Sequence, residues 1–516
     1  MVAGRSCARG AAAQIVRRGA ASLLLFVAAA FSTIAQTGPG TNNGSSIESA
    51  LRARDFNQAL QLVQSQLQQS PRDARLWTLE GIALSGLGDD QKALVAYNKA
   101  LAISPNSLAA LEGAAGLEYK AGSDRAIPLL NRILKLQPDE PTSHAMLAAL
   151  AAKRHDCVTA LKHFRQSSPI LSSQPIALEE YGACLMDQQQ PDEALPVFQQ
   201  ILALQPGDPH ARYNLAVVQL TAQHSKDAID TLQPLLEQKD PDTDALDVAS
   251  AAYEDTGDTP RAVSLLRQAI VANPRKVKYY VDFATLSFKH ESFQVGVDVI
   301  NAGITQLPKA APLYIARGIL YIQLGQFESG QSDFDAANRL DPSQASAAVA
   351  QGLAQLQQAN LDQALETVRA QLQSHPRDPF LHYLRAEIIT QKGAFVGSPE
   401  FNEAIQAASQ AVSLKPDFVL ARDVLGNLYL KSGQTAKAVE QCRLALRENP
   451  SDQAALYHLL QGLRKSNDPQ GEIPVLVKRL AALREESQKQ EGSAIKYRLY
   501  EPGSPESNAN KDPHPR

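Results

Sequence analysis

The chain has 516 residues, 44% of them apolar and only 6% aromatic, with 54 acidic against 50 basic side chains for a formal net charge of −4. That balance disfavours nucleic acid as a partner, because nonspecific affinity for phosphate comes mostly from lysine and arginine. Ala, Leu and Gln dominate and β-branched runs at strand spacing are missing, so helix is expected throughout and β-sheet nowhere.

The N-terminus stands apart. Arg5, Arg9, Arg17 and Arg18 precede an apolar stretch from Ala20 to Phe31 and then Thr33, Ile34 and Ala35, the charge order and small-residue exit of a secretory signal over residues 1–35. Cleavage near Ala35 is expected, although the run from Gly19 to Ala35 is just long enough to stay as an anchor, which would be the chain's membrane contact. Removing these residues takes the formal charge from −4 to −8. Residues 36–45 then read as a flexible linker.

From there the chain keeps time by proline, at positions 71, 105, 138, 175, 206, 241, 274, 308, 342, 376, 416 and 450, most of them about 34 residues apart. Between Pro71 and Pro105 stand Trp77, Gly81, Leu84, Ala93, Tyr97 and Ala100. This spacing resembles the tetratricopeptide repeat, a helix A, a short turn, a helix B and a closing proline. Small residues recur in helix A at Gly81, Gly182, Gly318, Gly352 and Gly426, and in helix B at Ala93, Ala160, Ala194, Ala262, Ala364 and Ala438. Four residues after each of those alanines comes a packing side chain, Tyr97, Phe164, Phe198, Leu266, Val368 or Cys442. Residues four apart share a helix face, so the small one admits a neighbouring helix and the larger one fills the gap beside it. The resemblance spans residues 46–485 and implies an all-α, right-handed α-α superhelical solenoid of about 13 repeats.

The rhythm stretches between Pro138 and Pro175, where Ser167, Ser168 and Pro169 follow helix B, and between Pro376 and Pro416, where residues 393–399 lengthen the A–B turn. Both read as loop insertions. Residues 486–516 form a polar tail expected to be disordered.

No constellation points to catalysis. His155, Asp156 and Cys157 are adjacent, and neighbours on a helix point in different directions, so they make no base–nucleophile relay. The sequence holds no His-Glu-x-x-His and its 10 histidines lack metal-ligand spacing. No enzyme, metal, cofactor or small-molecule substrate is expected. Of the cysteines left after signal removal, Cys442 sits at a packing place of helix B. Cys157 and Cys184 fall in successive helices, either bridged in an oxidising compartment or buried as free thiols.

The resemblance further implies that partners lie in an inner groove lined by helix A. Taking the second, fifth, sixth, ninth, twelfth and thirteenth places of each repeat as groove-facing gives an acidic stretch of Glu179, Glu180, Asp187, Asp244, Asp247, Glu254 and Asp255. An apolar stretch follows with Phe288, Ile319, Ile322, Phe380 and Tyr383, and a basic end with Lys431, Arg464 and Lys465. The family's carboxylate clamp is missing, since its fifth place holds Thr78, Glu179, Asp247, Ile315, Tyr383 and Asp423 here. The expected function is a non-catalytic scaffold in the periplasm or cell envelope that binds protein or peptide. The alternative is a structural spacer subunit of an envelope assembly, such as a secretion, pilus, polysaccharide-export or outer-membrane biogenesis machine.

Overall fold

The computed structural model describes residues 42–343, 345–466 and 471–493, and every regular element among them is a helix. The expected signal therefore lies outside the described residues. Helices alternate as A and B partners, and the chain divides into two compact units with the boundary in sequence after Asp258. The first unit pairs Asn42–Arg52 with Phe56–Gln69, Ala74–Gly86 with Asp90–Ile103, Leu108–Lys120 with Ala126–Leu136, Pro141–Lys153 with Cys157–Gln166, Pro175–Asp187 with Pro191–Leu204, and Pro209–Thr221 with Ser225–Leu236. It closes with the A helix Thr243–Asp255. The second unit opens with the B helix Thr259–Ala272. Its pairs are Val277–Lys289 with Phe293–Gln306, Ala311–Gln323 with Phe327–Leu340, Ser346–Gln357 with Leu361–Ser374, Pro379–Gln391 with Pro399–Leu414, Val419–Lys431 with Thr435–Glu448, and Gln453–Lys465 with Ile473–Ser493.

Local chemistry explains the boundaries. Aspartates at 55, 73, 89, 156, 208, 242, 378 and 452 cap helix N-termini by accepting from first-turn backbone N–H groups that have no partner inside the helix. A–B turns reverse through one left-handed residue, glycine at 88 and 325 but Glu291 and Ala359 elsewhere, the latter at about 1 kcal/mol each. His155 is such a residue, with φ 58°, and Asp156 caps the next helix through Thr159.

The B–A turns hold a regularity the sequence spacing does not announce. In seven of the A helices the side chain at the fourth place donates to the carbonyl of the proline six residues earlier, while Leu111, Leu178, Leu246, Ala348 and Leu456 stand there in others. Trp77 Nε1 reaches Pro71 at 2.9 Å, His144 Nε2 reaches Pro138 at 2.8 Å, and Arg212 reaches Pro206 at 3.3 Å. In the second unit Tyr280 and Tyr314 reach Pro274 and Pro308 at 3.1 and 3.0 Å, His382 reaches Pro376 at 2.9 Å, and Arg422 Nε reaches Pro416 at 2.8 Å. Proline ends helix B for want of an N–H, and this contact satisfies the carbonyl it leaves behind.

Each pair is locked where A and B cross. A Cβ built on Gly81 would lie 2.6 Å from the Tyr97 ring, one on Gly182 2.5 Å from Phe198, and one on Gly318 2.7 Å from Phe334. The large side chains fill the space that the glycines leave, as their spacing predicts. Phe198 and Phe334 are buried to within 1%.

Both stretched intervals lengthen a connection between helices. The first carries a short extra helix, Ser168–Leu171. The second is a loop over residues 392–398 whose Phe395 and Val396 are 73% and 53% exposed before Ser398 caps Pro399–Leu414. The outer boundaries differ from expectation. Residues 42–45 of the expected linker start a helix, and the last helix runs to Ser493 instead of ending near 486. Its polar end is rich in Glu, Gln and Lys, which lack apolar periodicity but have high helix propensity.

Cys157, at the start of one B helix, and Cys184, in the A helix that follows, are joined by a disulfide with Cα atoms 5.0 Å apart. Cys442 is a buried free cysteine beside Gly426, and burial pushes its thiol up to about 12.

Candidate partner-binding face

Helix A of each repeat packs one side on its own B helix and offers another to the next A helix, leaving a strip outward. In the second unit that strip is apolar. Phe288, Ile319, Leu353, Phe380, Leu420 and Tyr457 are 38%, 37%, 45%, 41%, 43% and 46% exposed, and they occupy the twelfth, ninth, ninth, second, second and fifth places of six successive A helices. Phe288, Ile319 and Phe380 were singled out by their places in the sequence. Leu353, Leu420 and Tyr457 occupy the same set of places, so the place rule covers them too, and their exposure adds them to the strip.

Ile322 does not join this strip. It is 6% exposed and packs with Phe334 and Ala354, because its twelfth place turns inward where Gly330 brings the B helix close. Tyr383 is half-buried and burial pushes its phenol up to about 12. Its ring lies 5.2 Å from Phe418, which is 4.8 Å from Phe380, with Lys415 Nζ 5.4 Å over the Phe380 ring. The cation stacks on the Phe380 ring, which remains 41% exposed, while Phe418 beneath is buried.

The acids of the first unit divide by depth. Glu179 and Asp247 are buried at 8% and 4% exposure, so they are not solvated charges on a face. Glu180, Asp244 and Glu254 are half-buried, while Asp187 and Asp255 are exposed. Asp255 accepts from the Ser225 hydroxyl at 3.1 Å. Burial, and then the Glu180 carboxylate, pushes the Tyr119 phenol up to about 12. At the far end of the second unit Lys431 and Arg464 are exposed, and Lys465 donates to the Leu430 carbonyl at 3.2 Å.

One group on the second unit's A helices is out of the ordinary. Asp423, at the fifth place of Val419–Lys431, is 8% exposed and one of its carboxyl oxygens has no partner. Burial, and then the charge and hydrogen bond of Asp452, push it up to about 8. Asp452 meanwhile caps Gln453–Lys465 through Ala455 N at 2.9 Å. His458 lies close by, its basicity lowered by burial, and its Nδ1 is likewise unpartnered. Because the folded chain holds the Asp423 proton far above the ordinary carboxylate range, this group's stabilisation is complete below pH 4 and is lost as pH rises through about 8. Asp423→Asn should remove that loss. The urea midpoint of the wild type should fall between pH 5 and pH 8.5 by the equivalent of about 2–4 kcal/mol more than the variant's, and parallel profiles would show that Asp423 titrates normally.

Among the described residues no group of three or more His, Cys, Asp or Glu is placed to hold a metal ion, and no described helix is long and apolar enough to cross a membrane.

Comparison with known proteins gives a consistent set of likenesses. Two models of the tetratricopeptide repeat match, one over residues 185–252 and the other over 47–107, 315–379, 349–417 and 394–453, together just over half of the chain. Superkiller protein 3 of Schizosaccharomyces pombe is 24% identical over 285 residues, which are 52% of this chain and 20% of that protein. The match thus spans about a fifth of that relative's length. Among solved structures, yeast Tom70 is similar at 14% identity, covering 87% of this chain and 96% of that one with a TM-score of 0.40. A tetratricopeptide repeat protein from Parabacteroides merdae is similar at 16% identity, covering 46% of this chain and 94% of its own, with a TM-score of 0.29.

Proposed function

Because the chain belongs to the tetratricopeptide repeat family, we propose that it is a non-catalytic scaffold, exported to the periplasm or cell envelope, that binds a protein or peptide along the A-helix faces of its repeats. The observation that carries this reading is the strip of exposed apolar side chains at groove places in the second unit, from Phe288 to Tyr457. Such groups gain roughly 25 cal/mol for each Å² of apolar surface covered, and successive A helices present them at the spacing of one repeat, which suits an elongated partner. On the first unit, taken by itself, exposed acids at Asp187 and Asp255 suit a basic segment of a partner. Export is supported by the basic-then-apolar N-terminus and by the Cys157–Cys184 bridge, a bond that persists in oxidising compartments.

The test is capture from an envelope extract. The tagged chain should retain a defined protein partner, and Phe380→Ala with Leu420→Ala should weaken that capture by about tenfold or more, the loss typical of central apolar anchors, with helical content unchanged. A chain that retains no protein but binds a glycan or small molecule when purified overturns the reading. Undiminished capture by the double variant removes this face from it.

A further inference from the structure

Within the second unit, the turns that precede the A helices Ser346–Gln357 and Pro379–Gln391 leave an open cleft of about 740 Å³ between them. Val349 and Phe380 give it apolar walls, Ser343 and Ser346 add hydroxyls, and Arg377 and Asp378 are its charged groups. Phe380 also belongs to the exposed strip, so strip and cleft share a wall. The rim is held in place. His375 Nε2 donates to the Pro342 carbonyl at 3.1 Å, tying one turn to the other, and His382 Nε2 donates to the Pro376 carbonyl at 2.9 Å. Prolines at 376 and 379 fix φ on either side of Arg377 and Asp378. A cleft held this way has its shape before anything enters it, which lowers the ordering cost of binding.

The two charges differ in freedom. Asp378 caps Pro379–Gln391, accepting from Phe380 N and Leu381 N at 2.8 and 2.9 Å. Arg377 is exposed and has no hydrogen bond or ion pair among the described residues. A second cation, Lys415, stands 5.4 Å over the Phe380 ring. An apolar side chain entering beside Phe380 therefore brings a carboxylate next to it within reach of a guanidinium that has no other partner.

We propose that this cleft takes an acidic-apolar segment of a partner protein, Phe or Leu with Asp or Glu beside it, the apolar side chain between Phe380 and Val349 and the carboxylate paired with Arg377. The volume lies within the range of ligand clefts and leaves room for more than one side chain. A guanidinium receives a carboxylate through two parallel N–H···O bonds, so Arg377 fixes where the acid must stand. Affinity comes from the apolar contact and selectivity from the charge. The proposal rests on the scaffold reading and names, for the second unit by itself, the chemistry of the segment bound there.

A fluorescein-labelled peptide in which Phe and Leu alternate with Glu, its C-terminus amidated, tests it by anisotropy against the full chain. Arg377→Glu should weaken binding by about tenfold or more, since the carboxylate then meets a like charge. Arg447→Glu makes the same change of net charge at another exposed arginine of the unit and should cost about twofold at most. Phe380→Ala should cost about tenfold as well, with circular dichroism unchanged in every variant. Arg377→Glu should also bind the counterpart peptide, with Lys for Glu, about fivefold more tightly than the wild type does. A wild type that does not bind the amidated peptide, equal losses from Arg377→Glu and Arg447→Glu, or undiminished binding by Phe380→Ala overturns the proposal. Binding that requires a free C-terminal carboxylate also overturns it, since the cleft then reads a chain end. Any of these failures, with envelope capture intact and still lost in the Phe380→Ala, Leu420→Ala variant, removes the acidic segment and leaves the scaffold reading standing.

Discussion

Gly318→Trp is expected to destabilise its own and the adjoining repeats by about 3 kcal/mol or more. A Cβ at this place lies 2.7 Å from Cε1 of Phe334 and 3.2 Å from the backbone oxygen of Gly330. The ring could shift if it had room, but Phe334 is 1% exposed and the Gly330 carbonyl belongs to the facing helix, so even the first carbon forces the A and B helices apart. The indole then has no cavity to enter, and overpacking typically costs 1–3 kcal/mol before any loss of neighbouring contacts. Each helix of 13 or 14 residues in this pair is too short to stand alone, so the damage passes to its neighbours. Gly116→Ala is the matched control. Gly116 is also inside an A helix but has nothing within 4 Å of its Cβ position, and relief of glycine's backbone freedom should stabilise by about 0.5–1 kcal/mol. Thermal or urea unfolding followed by circular dichroism separates the two. A Gly318→Trp midpoint no lower than that of Gly116→Ala would show that the A–B crossing is not where the glycine places it.

Removing the Cys157–Cys184 bridge is the second large effect. The bond closes 27 residues of sequence, joining the B helix of one repeat to the A helix of the next, and in the chain-entropy model a loop of that size stabilises by about 3.5 kcal/mol. The repeat it guards is the one with the extra helix Ser168–Leu171 between its B helix and the next A helix, where the connection is longer than elsewhere. Cys157→Ala with Cys184→Ala should lower the urea midpoint of the first unit, and a reducing agent should lower the wild type toward the variant without affecting the variant itself. Both thiols reacting freely with an alkylating agent in the unreduced protein, or a midpoint indifferent to reduction, would show that no bond forms there in solution.

The parts of this fold that sequence reveals are those in which one chemistry serves one geometry. Glycine opposite a ring sixteen residues later is such a case, and Gly81 with Tyr97 or Gly182 with Phe198 could be paired from spacing alone. The turns are harder, because Glu291 and Ala359 adopt the left-handed conformation that Gly88 and Gly325 adopt without strain, the framework of the neighbouring pairs imposing it. The proline contacts were hidden for the opposite reason, since tryptophan, histidine, tyrosine and arginine all serve as the donor. On the binding face, register identified the places and depth decided their occupants. Phe380 is open while Ile322, Glu179 and Asp247 are buried, a difference that depends on how closely each facing helix approaches. Asp423 was legible as a carboxylate at a groove place and illegible as one that keeps its proton.

The donor-to-proline contact also has a mechanical meaning. It spans the B–A turn, the segment through which tension must pass from one repeat to the next when the chain is pulled from its ends. Each such contact is a small latch in series with the others, and each closes within six residues of sequence. Opening one loosens the turn, and unfolding the repeat behind it releases about 34 residues, roughly 115 Å of extended chain. Where the latch is present, such a repeat is expected to yield under load as a unit and to re-form its latch locally, since nearest-neighbour contacts alone hold it.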